Sequence, residues 1–236
     1  MTQQRLNRFL ARSGVASRRA ADRLIASGAV LVNGARPHAA GVLVDPDRDR
    51  VTVEGREVHP PTGHAYIVLN KPAGHVVTAS DPQGRPTALG IVASERRLFS
   101  VGRLDRDTRG LLLLTDDGDL AHRLAHPRHG LDKEYAATVE GQPSEMALQR
   151  LREGVELDDG RTAPARVDRL APNRIRLVIH ERRKRQVRRM LEAVGHPVTD
   201  LVRTAFGPLR ARDLAEGQYR DLTQEELAAL RKAVKL

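Results

Sequence analysis

Four successive leucines, Leu111-Leu112-Leu113-Leu114, follow the loop Ser100-Val101-Gly102-Arg103-Leu104-Asp105-Arg106-Asp107-Thr108-Arg109-Gly110 and lead into Thr115-Asp116-Asp117-Gly118. An apolar run this short, closed at both ends by turn residues, is too brief for a globular helix and reads as a buried strand. The polar loop is thereby pinned to a core. A carboxylate on such a support has a fixed direction, and neighbouring cations hold it ionised, so Asp105, between Arg103 and Arg106, is the candidate chemical group. The competing reading is structural, since loops are rich in Asp and Gly and ordinary ion pairs also perturb carboxylates.

A chain of 236 residues with 40% hydrophobic content can form one large or two smaller domains with real cores. No apolar run approaches the roughly 20 residues of a membrane helix, and Met1-Thr2-Gln3-Gln4-Arg5 lacks the apolar segment of a signal peptide. A cytoplasmic protein is the expectation. The absence of cysteine excludes disulfides, thiolate zinc sites and thiol nucleophiles. The formal charge of +10 calls for a polyanion, nucleic acid first and an anionic membrane surface second. Arginine dominates that charge, as phosphate recognition favours and as GC-rich codon usage alone would also produce. Three Phe, three Tyr and no Trp leave no broad platform for stacking bases, so base recognition belongs in one local pocket.

In chain order, Leu6, Phe9 and Leu10 recur at helical spacing, and Gly14 ends that helix. Ser17 can cap a second helix that runs to a left-handed terminator at Gly28. Val30 to Val32, Val42 to Val44 and Val51 to Val53 read as short strands. Six arginines and one acid, Asp22, lie between Arg5 and Arg23; a solvated charged face is the plain alternative to a binding surface. Residues 6–58, through Gly14-Val15-Ala16-Ser17-Arg18-Arg19 and Val30-Leu31-Val32-Asn33-Gly34, resemble the S4 RNA-binding module. The resemblance implies that Arg5, Arg8, Arg12, Ser17, Arg18, Arg19 and Arg23 face structured RNA. His59-Pro60-Pro61-Thr62-Gly63-His64 then reads as a linker.

Beyond it, residues 65–69 form a strand and Asn70-Lys71-Pro72-Ala73-Gly74 a turn, and residues 75–97 are expected to be an irregular surface loop. Asp119 to Ala125 reads as a helix closed by His126-Pro127, and Lys133 to Val139 as a strand carrying Tyr135. Ser144 caps a helix ended by Gly154, after which Asp158-Asp159-Gly160-Arg161-Thr162 turns into another strand. Ile175, Leu177 and Ile179 alternate with polar residues as in a half-buried strand. Arg182-Arg183-Lys184-Arg185 passes into a helix with Val187, Met190, Leu191 and Val194 on one face, and Thr223-Gln224-Glu225-Glu226 is a capping box.

Gly102-Arg103-Leu104-Asp105, Asp107-Thr108 and Gly110 to Thr115, with Asp117-Gly118 beyond, resemble the signature of the ribosomal-RNA pseudouridine synthases. Three further elements are similar to that family: Lys71-Pro72-Ala73-Gly74, Lys133-Glu134-Tyr135, and Glu181 with Arg183 and Arg185-Gln186-Val187-Arg188-Arg189-Met190. Arg182, where Gly is usual, and Lys184, where Asn is common, depart from it. The resemblance implies Asp105 as nucleophile, Arg183 as the cation pairing with it and Tyr135 against the flipped base. Lys71, Arg103, Lys184, Arg185 and Arg188 would contact RNA. No metal or other cofactor is implied, and a monomer acting on ribosomal RNA or a pre-ribosomal particle is expected. Read from the strand alone, Tyr135 would be a core tyrosine, and the basic run a nonspecific one.

The fold expected is α+β: an S4-like module over 1–58, a linker over 59–64, and a larger α/β catalytic domain over 65–236 around a mixed, mainly antiparallel sheet. Residues 162–165, Thr-Ala-Pro-Ala, look closer to the large-subunit enzymes. Attack at C6 of uracil or at C1′ of the ribose both remain open, as do a small-subunit enzyme and a noncatalytic S4-type assembly factor. A metal nuclease built on Asp105, Asp107, Asp116 and Asp117 is disfavoured by the adjacent arginines, which repel a cation.

Overall fold

The computed structural model of the protein describes residues 3–39, 41–126, 128, 130–211 and 214–236; Pro127, expected in a turn, lies outside them. The chain forms two compact units, Met1–His64 with Ser94–Arg97, and Ala65–Ala93 with Leu98–Leu236.

In the smaller unit, β1 (Gln4–Arg5) leads into α1 (Leu6–Arg12) and α2 (Arg18–Ala26), followed by β2 (Val30–Val32), β3 (Leu43–Val44), β4 (Val51–Val53) and β5 (Arg56–Glu57). β1 pairs with β3, and β2, β4 and β5 form a three-stranded antiparallel sheet. Leu6, Phe9, Leu10, Ala21 and Ile25 pack with Val30, Val44 and Val51 in a core of their own. The Ser17 hydroxyl accepts the Ala20 N–H at 3.2 Å, and Gly28 takes φ +80°, so the predicted cap and terminator of α2 are both present. Burying the apolar faces of both helices turns Arg5, Arg18, Arg19 and Arg23 to the exterior, while Arg8 and Arg12 are half-buried.

The larger unit contains β6 (Tyr66–Lys71), a 3₁₀ turn (Leu89–Ile91), β7 (Phe99–Ser100), β8 (Arg109–Thr115), α3 (Gly118–Ala125), β9 (Lys133–Val139) and α4 (Glu145–Glu153). It continues with β10 (Arg166–Ala171), β11 (Arg174–Ile179), α5 (Gln186–Ala193), β12 (Val198–Phe206), β13 (Leu209–Arg210), β14 (Tyr219–Asp221) and α6 (Gln224–Ala233). The sheet order is β10-β11-β9-β12-β8-β6-β14, with β7 on β8 and β13 on β12. Its strands pair antiparallel except β8 with β12.

Both faces of the sheet are covered, which is why β8 is apolar without alternation. Leu112 and Leu114 enter the core shared with α4 and α5, and Leu111 and Leu113 the core shared with α3 and α6. Several expectations are corrected. Asn70 and Lys71 are the last residues of β6 rather than a turn, because they pair with Leu111 and Gly110 of β8. Residues 75–97 are not all surface, since Ala88 and Val92 are buried in the core around the 3₁₀ turn. The strand after Thr162 begins only at Arg166, and the nine-residue β12 was not anticipated.

Candidate active site

The 101–108 loop joins β7 to β8 and is tied at every carbonyl from 105 to 108. Thr108 N donates to Asp105 O (3.1 Å), Gly74 N and Lys71 Nζ to Arg106 O (2.9 and 3.1 Å), Arg188 Nη2 to Asp107 O (3.2 Å), and Lys71 Nζ to Thr108 O (2.8 Å). Leu104, 6% exposed, plugs the loop into the core. Asp105 is thus a half-buried carboxylate on a backbone with little freedom.

Asp105 opens onto a cavity of about 230 Å³ in the larger unit, which Tyr135, Lys133, Glu181, Arg183, Arg203 and Phe206 also line. Tyr135 reaches it from the middle of β9, paired with Leu177 of β11 and Arg203 of β12. Exposed Arg103, Arg182, Lys184 and Arg185 also line it, in reach of a phosphate backbone.

Asp105, Tyr135 and Arg183 are brought together in one cavity, but the expected pairing of Arg183 with Asp105 is not made. Arg183 donates to Glu181 (3.1 Å) and Asp159 (3.3 Å) and to the carbonyls of Gly160 and Arg161 (both 2.6 Å). The physical reason is proximity to other acceptors: Glu181 lies two residues away and the 159–161 turn folds against the same guanidinium. These contacts, the Glu181 hydrogen bond foremost, push the Arg183 pKa further up. The cations that bond into the Asp105 loop are Lys71 and Arg188. Arg188 was expected at RNA phosphate, yet its Nη1 and Nη2 donate inward, to Val198 O and Asp107 O.

Lys71 is corrected more sharply. It is 0% exposed and donates to Pro72 O, Arg106 O and Thr108 O, so it cannot meet a phosphate. Burial pushes its pKa down to about 8, against the pull of Asp107 and Asp105. Lys133, donating to Leu131 O and His180 O, is likewise pushed down to about 8, by burial first and by Arg203 second. The departures at Arg182 and Lys184 impose no left-handed backbone: in this stretch only Arg185, at the start of α5, has positive φ, +50°.

Arg203 and Thr108 were missed as cavity residues. The available signal was the alternation Leu201, Arg203, Ala205, which puts an arginine in the buried phase of a strand. Among the described residues no cluster of three or more His, Asp or Glu could hold a metal, and no helix is long and apolar enough to cross a membrane.

The family described as RNA pseudouridylate synthase matches residues 65–193, and the S4 domain matches residues 4–46. Ribosomal large subunit pseudouridine synthase B of Bacillus subtilis is 42% identical over 235 residues, spanning 97% of this chain and 96% of its own. Ribosomal small subunit pseudouridine synthase A of Yersinia pestis is 38% identical, spanning 96% and 97%. A crystal structure of a pseudouridylate synthase, 33% identical, superposes with a TM-score of 0.70 over 98% of this chain and 100% of that one. With its sheet, its leucine strand and its Asp-bearing loop all accounted for, the chain belongs to the RNA pseudouridine synthase family and carries an S4 domain ahead of the catalytic unit.

Proposed function

We propose that the protein isomerises a uridine of large-subunit ribosomal RNA in the cytoplasm, with Asp105 as nucleophile. The observation that carries the reading is the loop itself: each carbonyl from 105 to 108 is hydrogen-bonded, so the Asp105 carboxylate is held toward a cavity that Tyr135 also lines. A nucleotide flipped out of its stack would place its base against Tyr135, while exposed Arg103, Arg182, Lys184 and Arg185 at the mouth meet flanking phosphates. The Asp105 carboxylate bonds to C6 of the ring or to C1′, the C1′–N1 bond breaks, the ring turns, C5 bonds to C1′ and the bond to Asp105 is released to restore the carboxylate. The C5 hydrogen leaves as a proton and N1 ends as N–H, so the reaction balances without a co-reactant. Arg188, tied to Asp107 O, supplies positive charge beside the loop, the part Arg183 was expected to play.

The large-subunit assignment draws on the name of the Bacillus subtilis relative; the small-subunit name of the Yersinia pestis relative supplies the second reading. Both are tested by one measurement, release of tritium from C5-labelled ribosomal RNA followed by mapping of the product. Asp105→Asn keeps the shape and removes the nucleophile, so it should fold, bind RNA and release no label. Normal turnover by that variant would sink the assignment.

A further inference from the structure

Five buried side-chain N or O atoms among the described residues have no hydrogen-bond partner, and two of them, Arg203 Nη2 and Thr108 Oγ1, belong to residues lining the Asp105 cavity. Arg203 is 2% exposed. Its Nε donates to Leu111 O at 2.8 Å and its Cζ lies 5.4 Å from the Phe206 ring centroid, but no carboxylate among the described residues meets it. A guanidinium stays charged at any pH the protein experiences, and a buried donor left unmatched costs free energy unless a ligand or water completes it. Its place is fixed by the sheet. Arg203 pairs across β12 with Tyr135 of β9 and with Gly110 of β8.

We propose that the Arg203 guanidinium donates to the O4 carbonyl of uracil in this cavity and holds the negative charge O4 acquires during the reaction. This rests on the reading of the chain as a uridine isomerase. Addition of the Asp105 carboxylate at C6 would push the C5=C6 electron pair through C4 onto O4. Departure of the ring from C1′ leaves the N1 pair delocalised through C6=C5 and C4, again onto O4. Both routes load the same oxygen. Bonding of C5 to C1′ discharges the ring, the bond to Asp105 is released, and N1 takes a proton as C5 loses one, so the carbonyl ends neutral; Arg203 transfers no proton at any point. A fixed donor aimed where charge develops acts most strongly in a buried site, where no solvent must reorganise.

A phosphate is the less fitting occupant, because Arg103, Arg182, Lys184 and Arg185 are exposed whereas Arg203 is buried. The donor also opposes cytosine, whose exocyclic amine would present hydrogens to the same guanidinium.

The test uses the full chain under single turnover at saturating RNA, with C5-tritium release as readout. Arg203→Met, which keeps much of the volume, should lose about a hundred- to a thousand-fold in rate with RNA affinity little changed, because the carbonyl is neutral before reaction. Arg203→Ala should recover part of its rate when guanidinium ion is added, and none with tetramethylammonium at equal ionic strength. A wild-type rate for Arg203→Met overturns the proposal, as does a loss that guanidinium leaves untouched. Should these variants not fold, the wild-type protein bound to RNA carrying 5-fluorouridine decides by crystallography. A guanidinium nitrogen of Arg203 within hydrogen-bonding distance of O4 supports the assignment; a guanidinium that meets only a phosphate, Asp105 or water overturns it. Failure of the wild-type chain to release label from any ribosomal RNA would instead remove the functional reading, an outcome separate from the Arg203 variants.

Discussion

The ammonium of Lys71 sends its hydrogens to three backbone carbonyls, and two of these belong to the Asp105 loop. Lys71→Met would leave Thr108 O without that donor, at a cost of about 1–3 kcal/mol for a buried acceptor. The same change loosens the loop, so turnover should fall more than RNA affinity, read as a kcat loss with Kd nearly constant. The pKa adds a sign. Burial lowers Lys71 from 10.5 to about 8, so between these values the unfolded chain holds a proton that the folded chain has shed. Wild-type stability should therefore rise with pH across that window relative to Lys71→Met, and urea midpoints at pH 8 and pH 10 measure it. Arg183 and Arg188 separate in the same way. Arg188→Ala removes the donor to Asp107 O and should cut turnover at saturating RNA. Arg183→Ala breaks contacts to Glu181 and to the 159–161 turn and should act mainly on stability. The reverse ranking would restore Arg183 as the partner of Asp105.

At the level of elements, β8 was legible because four leucines between turn signals admit few other structures, and the caps at Ser17, Ser144 and Thr223 are present as the spacing indicated. β12 was not legible. It carries Thr199, Asp200, Arg203 and Thr204 among its nine residues, and its place beside β8 is a parallel pairing between strands about 90 residues apart, which local pattern cannot reveal. Lys71 was expected to contact RNA for a related reason: a lysine looks available to a phosphate until the three carbonyls that bury it are assembled. The β8–β12 contact also explains one glycine of the motif. Gly110 has φ +104°, and a Cβ there would stand 2.3 Å from Arg203 O, so β12 can approach only because residue 110 has no side chain. Gly102, at φ +75°, has nothing within 4 Å of such a Cβ. Gly110→Ala should thus destabilise by several kcal/mol and disturb Arg203, whereas Gly102→Ala should cost only the conformational term of about 1 kcal/mol. Thermal unfolding of the two variants side by side distinguishes a packing constraint from a purely backbone one.

At the scale of the whole molecule, binding and chemistry rest on separate cores. Leu6, Phe9, Leu10, Ile25, Val44 and Val51 pack among themselves, and the two cores of the larger unit contain no residue before Ala65. Removal of residues 1–58 should accordingly leave a folded catalytic unit with a cooperative unfolding transition. It should still isomerise RNA, because Asp105, Tyr135, Lys71, Arg188 and Arg203 all remain. Affinity is where the loss should fall. Arg5, Arg18, Arg19 and Arg23 are exposed on the smaller unit, and each phosphate they neutralise contributes roughly 0.7–0.9 to the slope of log K against log salt. With all four engaged, the truncated chain should show a slope shallower by about 3 and a tighter-binding wild type at low salt than at high. Turnover at saturating RNA should change far less than binding, since the cavity and the Asp105 loop are built from residues of the larger unit. An unchanged slope would assign those arginines to solvent and leave RNA capture to the exposed Arg103, Arg182, Lys184 and Arg185 at the cavity mouth. A collapse of saturated turnover with the slope intact would mean instead that the S4 domain positions the uridine, and that the division between binding and chemistry drawn from the separate cores is wrong.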